Sequence, residues 1–237
     1  MTRVAPVEES PCLGDPAIHD SARQLLVVRF ARPHATLSWA VVNGGRRRTS
    51  AIVWRQVCNA ELGPGVDPEA LLRTSLDQVA LPEAVGLLTS CALARFEDVQ
   101  RSDGELAARC VATIGLSNAL AAGDPPGPLL HRVGTINLLC QLSQPLEEGA
   151  LVEACALVAE ARTAALLEAN VSSRRTGRPA TGTGTDCIVV AAPEVTDDRE
   201  TVLRYVGKHT AAGALVGAAV REACTRGITR WLAEYGA

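Results

Sequence analysis

Short apolar runs rich in β-branched residues recur along the chain, and this pattern predicts β-strands. The turn-forming segments Arg32-Pro33 and Asn43-Gly44-Gly45 separate the first runs, so hairpins are expected there. The last run follows a glycine-containing loop and predicts a buried strand. The predicted strands are Gln24–Phe30, Thr36–Val42, Ser50–Cys58, Val85–Leu93, Cys110–Ile114, Thr135–Leu142 and Cys187–Ala192.

Apolar residues spaced three and four positions apart predict helices between and after these strands. The first helix opens at Asp67-Pro68-Glu69, which supplies an N-cap, a proline at the first helical position and an early acidic charge. Two longer helices are predicted from about Glu147 to Ala169 and from about Ala211 to Tyr235. Gly213 and Gly217 share a face of the last helix, so we expect it to lie very close to its neighbour.

Many strands together with long helices predict an α+β fold, a layered single domain whose mixed or antiparallel sheet is covered by the long helices. Residues 1–20 are polar, acidic and proline-containing, and we expect them to form a flexible N-terminal tail. Residues 21–237 show no internal repeat and no linker, so we expect them to form one domain. The sequence leaves the oligomeric state open, a homo-oligomer included.

Composition excludes several classes of protein. The 237 residues are 47% hydrophobic and 21% charged, as in globular proteins. A net charge of -3 and an aromatic content of 3% argue against a nucleic-acid-binding surface, and no run approaches the ~20 apolar residues of a membrane span. The eight cysteines include no CxxC pair, which argues against a cysteine metal site. Since no signal-peptide core precedes them, we expect a cytoplasmic protein with reduced thiols.

The most unusual segment is Thr181-Gly182-Thr183-Gly184-Thr185-Asp186, directly before the last predicted strand. A dinucleotide fingerprint requires the opposite order, and a phosphate loop requires a Gly-Lys-Ser/Thr ending that is absent. What remains is a backbone that a ligand can approach at the glycines, flanked by hydroxyls and one carboxylate. A tight turn whose threonines bond their own backbone is the structural alternative.

Two other loops have similar neutral polar chemistry. Ser117 and Asn118 follow one predicted strand, and Thr135 and Asn137 share a face at the start of another. Such side chains suit a site lined by uncharged hydrogen-bonding groups, although each loop is equally typical of a satisfied strand end.

A series of motifs, in order, resembles the adenosylcobinamide amidohydrolase family over about residues 35–235. Arg162 stands where that family has Lys, and Gly86-Leu87-Leu88-Thr89-Ser90 departs from its usual Gly-Leu-Met-Thr-Ala. The motifs are Asn43-Gly44-Gly45, Gly115-Leu116-Ser117-Asn118-Ala119, Gly134-Thr135-Ile136-Asn137, Glu160-Ala161-Arg162-Thr163, Thr181-Gly182-Thr183-Gly184-Thr185-Asp186 and Gly207-Lys208-His209-Thr210.

The resemblance implies hydrolysis of the amide bond between a corrin-ring side chain and aminopropanol in adenosylcobinamide, giving adenosylcobyric acid for cobamide salvage. The corrinoid is then the small-molecule partner and the substrate, and no separate cofactor or metal is expected. Neutral donors and acceptors suit a substrate covered with carboxamides. The expected substrate-binding residues are Asn43, Gly44, Ser117, Asn118, Thr135, Asn137, Glu160, Thr181, Gly182, Thr183, Gly184 and Thr185.

Asp186 and His209 are the expected catalytic residues. Asp186 ends the Gly-Thr loop, and His209 lies in a family-like motif just before a helix, whereas His131 lies in a proline-rich loop. We expect Asp186 or His209 to activate a water molecule, with backbone amides near Gly182 and Gly184 holding the oxyanion.

Alternatives remain open for the nucleophile and for the function. Ser117 or Thr135 would be a hydroxyl nucleophile, and self-cleavage after Gly134 would place Thr135 at a new N-terminus. A non-catalytic corrinoid-binding protein would carry the same pocket without turnover. An amidohydrolase of another carboxamide-rich substrate is the remaining alternative.

Overall fold

A computed structural model of the protein describes residues 13–63, 65–127 and 134–236. The strands are β1 (Ile18–Asp20), β2 (Leu25–Ser38), β3 (Gly45–Gln56), β4 (Val85–Thr89), β5 (Glu97–Asp103), β6 (Leu106–Ile114), β7 (Ala119–Leu120), β8 (Ile136–Leu142), β9 (Gly182–Thr183) and β10 (Cys187–Pro193). The helices are α1 (Pro68–Gln78), α2 (Glu148–Glu168) and α3 (Ala211–Tyr235). The predicted long helices are confirmed almost residue for residue.

Eight of the described strands form one mixed sheet. Its order is β4-β3-β2-β10-β8-β6-β5, with β1 pairing along β2. β3 and β4 are parallel, as are β8 and β10, and the other neighbours are antiparallel. The predicted α+β class and the mixed sheet are therefore confirmed.

The sheet curls strongly at the end where the polar loops lie. Three strands separate β4 from β8 in the sheet order, yet the Asn137 amide of β8 donates a hydrogen bond to the Leu88 carbonyl of β4 over 2.7 Å. One apolar cluster accordingly includes Val85 of β4 and Leu139 of β8 together. This curl brings distant loops to one end of the molecule.

β2 is one long strand, so the prediction of a turn at Arg32-Pro33 is wrong. Its pairing with β3 changes register between Arg29 and His34, which marks a β-bulge around the proline. The first part of β2 pairs with β1 and the last part with β10. The bulge therefore lets one strand bend between two neighbours, and a local proline signal cannot distinguish this arrangement from a turn.

β5 is a strand that the apolar pattern does not predict. Residues Glu97–Asp103 are mostly polar, and they pair antiparallel with β6 at the edge of the sheet. The connecting turn uses Gly104 at a positive φ of 55°. An edge strand that buries few side chains carries little hydrophobic periodicity.

The prediction of a flexible tail over residues 1–20 is wrong for residues 13–20. Leu13 is buried, and Ile18–Asp20 forms β1 against β2. The buried Arg109 side chain donates a hydrogen bond to the Asp15 carbonyl over 3.1 Å. Residues 13–20 are therefore held by the domain despite their polar sequence, and residues 1–12 lie outside the described part.

α2 and α3 cover one face of β6, β8 and β10 and form the largest apolar cluster with it. Gly227 of α3 packs so closely on Ile114 that an added Cβ would overlap its Cγ1 atom, and Gly213 packs as closely on the Gly207 carbonyl. The predicted close approach is right for Gly213 and wrong for Gly217, whose Cβ position meets no atom of the described residues within 4 Å. None of the described helices is long and apolar enough to span a bilayer.

Candidate functional site

The Gly-Thr loop is held against the segment that follows β6 and contains β7. β9, inside this loop, pairs antiparallel with β7, so that Thr183 is opposite Ala119 and Gly182 is opposite Leu120. The Gly184 amide donates to the Asn118 carbonyl over 3.1 Å, and the Ala122 amide donates to the Thr181 hydroxyl over 2.8 Å. Hydrogen bonds on both sides of β9 therefore hold the loop in place, and it is not an isolated turn.

A buried ion pair lies next to the Gly-Thr loop. Arg162 of α2 donates from Nη1 to Asp186 Oδ2 over 2.8 Å, and the two side chains are only 13% and 8% exposed. Asp186 also accepts bonds from the Ile136 amide, the Thr183 amide and the Thr183 hydroxyl. Arg162 Nη2 donates to the Thr181 carbonyl over 3.1 Å. The pair thus joins α2, β8 and the Gly-Thr loop.

The Asp186 carboxyl experiences opposing influences. Burial raises its pKa above the ordinary value, while the Arg162 guanidinium and the bonds from Thr183 and Ile136 lower it. A group held between such influences can exchange a proton more easily than a fully solvated carboxylate at neutral pH. Perturbed groups of this kind occur at functional sites and also in purely structural networks, so the surrounding geometry must decide between the two.

An open cleft of about 390 Å³ lies directly above the ion pair. Backbone, hydroxyl and small apolar groups surround it, with the Arg162–Asp186 pair as its charged element. Its lining residues are Leu120, Ala121, Ala122, Arg162, Thr181, Gly182, Thr183, Gly184 and Asp186. The volume falls in the range of small-molecule sites, about 300–1,000 Å³.

A side chain at either of two glycines of the cleft would displace a neighbouring polar group. A Cβ on Gly182 would lie 2.5 Å from Asp186 Oδ2, and one on Gly184 would lie 2.6 Å from Asn118 Nδ2. The Asn118 carboxamide is nearly buried and packs against Gly184. The alternation of glycine and threonine therefore leaves space for a carboxylate on one side and a neutral amide on the other.

Trp39 lies at the edge of this site, on the connection between β2 and β3. Its indole Nε1–H donates to the Asp186 carbonyl over 2.6 Å, while the side chain remains 54% exposed. One edge of the ring is thus fixed to the loop that lines the cleft and much of the rest is open to solvent. A fixed, exposed aromatic ring is suited to stacking on a flat ligand.

Asp124 fixes the 121–124 turn, whose Ala121 and Ala122 line the cleft. Its carboxylate accepts hydrogen bonds from the Ser173 and Thr176 hydroxyls, the Ala121 amide and Arg178. Those bonds hold its pKa well below the usual range. Asp124 therefore ties the 121–124 turn, which lines the cleft, to the loop that follows α2.

Thr135, Asn137 and Thr185, which the sequence assigns to substrate binding, serve the framework in this structure. The Thr135 hydroxyl donates to the Thr185 carbonyl over 2.8 Å, and the Thr185 hydroxyl donates to the Gly134 carbonyl over 3.2 Å. Asn137 is buried and bonds β4. These hydroxyl and amide groups join the start of β8 to the Gly-Thr loop.

Asn43 and Gly44 form a turn away from the cleft lining. The Asn43 amide donates to the carbonyls of Pro82 and Ala84 over 2.9 and 2.8 Å. Asn43 has a positive φ of 55°, and a Cβ on Gly44 would lie 2.6 Å from the Ala40 carbonyl oxygen. Both residues shape the connection that carries Trp39, so any effect on a ligand would act through that connection.

Glu160 and His209 lie together on the α2 side of the molecule. Lys208, adjacent to His209, donates to both Glu160 oxygens over 2.7 Å, in an exposed ion pair. His209 is exposed and precedes Thr210, which caps α3 through the Gly213 amide. Among the described residues, the cleft lining includes neither Glu160 nor His209, and the expected catalytic role of His209 stays a prediction.

Arg162 and Trp39 are site residues to which the sequence assigned no binding or catalytic role. Arg162 lies in the apolar helix α2, and the positions three and four residues away from it carry no acidic residue. A basic residue with no local partner on an apolar helix is a signal for a distant acidic partner. No local pattern around Trp39 indicates its partner, because Asp186 lies 147 positions further along the chain.

Among the described residues no group of three or more His, Cys, Asp or Glu side chains is arranged to hold a metal ion. The cysteines in the same ranges are free thiols, and most of them are buried. Whether the site works without a metal stays a prediction.

The fold and the site together define a single-domain α+β protein with a neutral, glycine-framed cleft over a buried ion pair. The family model for adenosylcobinamide amidohydrolase matches residues 11–236. The chain belongs to the adenosylcobinamide amidohydrolase family, which confirms the resemblance found in its motifs.

Two curated relatives match part of the chain. The adenosylcobinamide amidohydrolase of Halobacterium salinarum is 37% identical over 127 residues, which cover 49% of this chain and 50% of that protein. An uncharacterised protein of Methanocaldococcus jannaschii is 34% identical over 92 residues, or 38% of this chain and 34% of that protein. The chain thus spans half or less of the length of the curated relatives it matches.

Solved structures show a more distant likeness. A Pyrococcus horikoshii protein superposes with a TM-score of 0.42 at 13% identity, over 96% of this chain and 83% of that one. A Burkholderia β-aminopeptidase gives 0.40 at 16% identity, over 86% and 78%. An L-aminopeptidase D-Ala-esterase/amidase from Ochrobactrum anthropi gives 0.38 at 14% identity, over 86% and 76%.

Proposed function

We propose that this protein hydrolyses the amide bond between the corrin-ring side chain and aminopropanol in adenosylcobinamide. The products are adenosylcobyric acid, which re-enters cobamide assembly, and 1-aminopropan-2-ol. The observation that carries the proposal is the cleft over the Arg162–Asp186 pair, in a chain that belongs to this family. The corrinoid is the substrate in this proposal, and no further cofactor takes part.

The size and chemistry of the cleft suit one amide arm of the substrate. Its volume of about 390 Å³ accommodates a side chain with its terminal aminopropanol, while a macrocycle covered with carboxamides remains at the mouth. The backbone groups and hydroxyls of the Gly-Thr loop match the neutral donors and acceptors of such an arm. The exposed Trp39 ring at the edge provides a flat apolar surface for the macrocycle.

Amide hydrolysis requires a nucleophile, a base and an acid for the departing amine. Asp186 is the candidate base, since it is the carboxylate among the cleft-lining residues. His209 stays the candidate acid, and its exposed position beside Lys208 means that substrate would have to extend towards α2 to meet it. The Gly184 amide, one of the backbone amides expected to hold the oxyanion, already donates to the Asn118 backbone carbonyl. The Asn118 carboxamide, which packs against Gly184, is therefore an additional candidate donor.

The decisive experiment incubates the full chain with adenosylcobinamide and measures both products by mass spectrometry. We expect adenosylcobyric acid and 1-aminopropan-2-ol in equal amounts, and a decrease of about 10²–10⁴-fold in kcat for Asp186→Asn, as for loss of a general base. Asp77→Asn, an exposed aspartate of α1, is the matched control and should keep the wild-type rate.

Other outcomes decide between the alternatives. Tight binding of the corrinoid without release of aminopropanol would identify a corrinoid-binding protein. Faster turnover of a non-adenosylated corrinoid or of another carboxamide-rich compound would identify a different substrate. An unchanged rate in His209→Ala would remove that residue from the reaction.

A further inference from the structure

One hydroxyl of the cleft is bonded to its buried carboxylate. Thr183 lines the cleft, and its Oγ1–H donates to Asp186 Oδ1. Asp186 is in turn fixed by Arg162 over 2.8 Å and by the Ile136 amide over 3.1 Å. A hydroxyl, a base that touches it and a third group that orients the base are the structural elements of an activated nucleophile.

We propose that Thr183 is the nucleophile of the amidohydrolase reaction and that Asp186 is its base. This inference rests on the proposed function, because it assigns a covalent step to the same cleft. It replaces the expected activation of water by Asp186 with the activation of a hydroxyl that is already in place.

The bonding of Asp186 favours the hydroxyl over a water molecule. Its two oxygens accept bonds from Arg162, from the Ile136 amide, and from both the amide and the hydroxyl of Thr183. A carboxylate has about four lone-pair sites, so a water molecule would have to displace one of these donors. The Thr183 hydroxyl needs no displacement.

The other hydroxyls of the region have different partners. Thr135 and Thr185 donate to backbone carbonyls, which cannot accept a proton. The Thr181 hydroxyl accepts from the Ala122 amide. Ser117 is outside the described cleft lining. Among the hydroxyls that line the described cleft, Thr183 is thus the one bonded to a group able to take its proton.

The electrostatics of the site agree with this assignment. Burial raises the pKa of Asp186, and a base whose pKa lies nearer to the working pH transfers protons more effectively. The adjacent Arg162 guanidinium opposes this shift by lowering the pKa of Asp186, which favours the ionised form that a base requires.

The reaction divides into two balanced steps. Thr183 Oγ1 attacks the amide carbonyl carbon, and its proton passes to Asp186. The C–N bond then breaks, aminopropanol leaves with that proton, and an ester joins Thr183 to the corrin side chain. Water attacks the ester carbonyl and gives a proton to Asp186, the bond to Thr183 Oγ1 breaks, and this oxygen regains the proton. The net reaction converts an amide and water into a carboxylic acid and an amine.

The Asn118 carboxamide, which packs against the cleft-lining Gly184 and is not itself part of the described cleft lining, is the candidate donor for the oxyanion of both steps. It is nearly buried and packs against Gly184, the residue that follows Thr183 in the loop. A preorganised neutral donor stabilises the negative charge that develops on the carbonyl oxygen, and loss of one such donor typically costs about 10²–10³-fold in kcat.

The test compares Thr183→Val, Thr183→Ser and the control Thr74→Val, an exposed threonine of α1, with the wild-type full chain. Each is assayed for aminopropanol release from adenosylcobinamide, and binding is measured in parallel. We expect Thr183→Val to bind substrate and lose about 10³-fold or more in kcat, Thr183→Ser to retain substantial turnover, and Thr74→Val to match the wild type.

A trapping experiment on the wild-type enzyme keeps the test independent of how the variants fold. Turnover in hydroxylamine should divert the ester to a hydroxamate, and acid-quenched enzyme should carry the corrin acyl group on the peptide that contains Thr183. Retention of kcat within about tenfold by Thr183→Val overturns the proposal. The proposal is also overturned if Thr183→Ser is inactive and the wild-type enzyme forms neither the hydroxamate nor the adduct, because Thr183 is then required for structure alone. If the wild type releases no aminopropanol, the proposed function itself fails, and that result is distinct from both.

Discussion

Arg162→Met tests whether the Arg162–Asp186 pair holds the cleft together. The arginine is 13% exposed and the aspartate 8%, so the substitution leaves a buried carboxylate with hydrogen bonds from Thr183 and Ile136 but without a counter-charge. Removing one partner of a buried ion pair costs about 3–5 kcal/mol. At about 2–4 °C per kcal/mol for a chain of this size, Tm should fall by about 6–20 °C.

The assay is urea unfolding followed by circular dichroism, for Arg162→Met, Asp186→Asn and the double variant. In the double variant the uncompensated charge is gone, so its loss should be smaller than the sum of the single losses by about 0.5–3 kcal/mol. Arg162→Lys is the matched control. It keeps the positive charge and loses the second bond, from Nη2 to the Thr181 carbonyl, so it should cost only about 1 kcal/mol.

The pH dependence provides a second check on the same variant. The pKa of Asp186 is already raised by burial, and loss of Arg162 removes an influence that lowers it. Stability linked to a carboxyl with a raised folded-state pKa is present below its unfolded-state pKa and is lost as pH rises through the folded-state pKa. Arg162→Met should therefore lose least in acid and most at neutral pH. A total loss below about 1 kcal/mol, additive single losses, or a cost independent of pH would each refute the argument.

Two further predictions concern the core. Gly227→Ala would force a Cβ into Ile114 and should lower the free energy of unfolding by about 1–3 kcal/mol, whereas Gly217→Ala, in the same helix with no described atom within 4 Å of its Cβ position, should raise it by about 0.5–1 kcal/mol. If the two substitutions shifted the melting temperature in the same direction, this pair of predictions would be contradicted. Burial lowers the pKa of His34 from 6.5 to about 4, so the associated stability is present above pH 6.5 and decreases by about 1.4 kcal/mol per unit as pH falls towards 4. The free energy of unfolding should therefore decrease less in acid for His34→Gln than for the wild type, and identical pH profiles would count against the assignment.

Local sequence signals predicted the elements that carry the site. The apolar spacing located α2 and α3, and the alternation of glycine with threonine before a buried strand located the loop that lines the cleft. The same signals failed at β5, which is polar and at a sheet edge, and at Pro33, where a bulge replaces the expected turn. The periodicity of apolar residues indicates which face of an element is buried. Neither β5 nor the bulge at Pro33 buries a regular apolar face.

The sequence by itself determined the α+β class, the long helices, the family and the loop around Thr183 and Asp186. Only the tertiary structure decided which polar groups surround the cleft and which support it. Asn137 and Thr135 were equally good binding candidates by residue type, but the curl of the sheet turns Asn137 onto β4 and Thr135 onto the loop backbone. Arg162 meets Asp186 across 24 positions and Trp39 meets it across 147. Residue type and spacing describe what a side chain can bond, whereas its actual partner depends on how distant strands and helices pack.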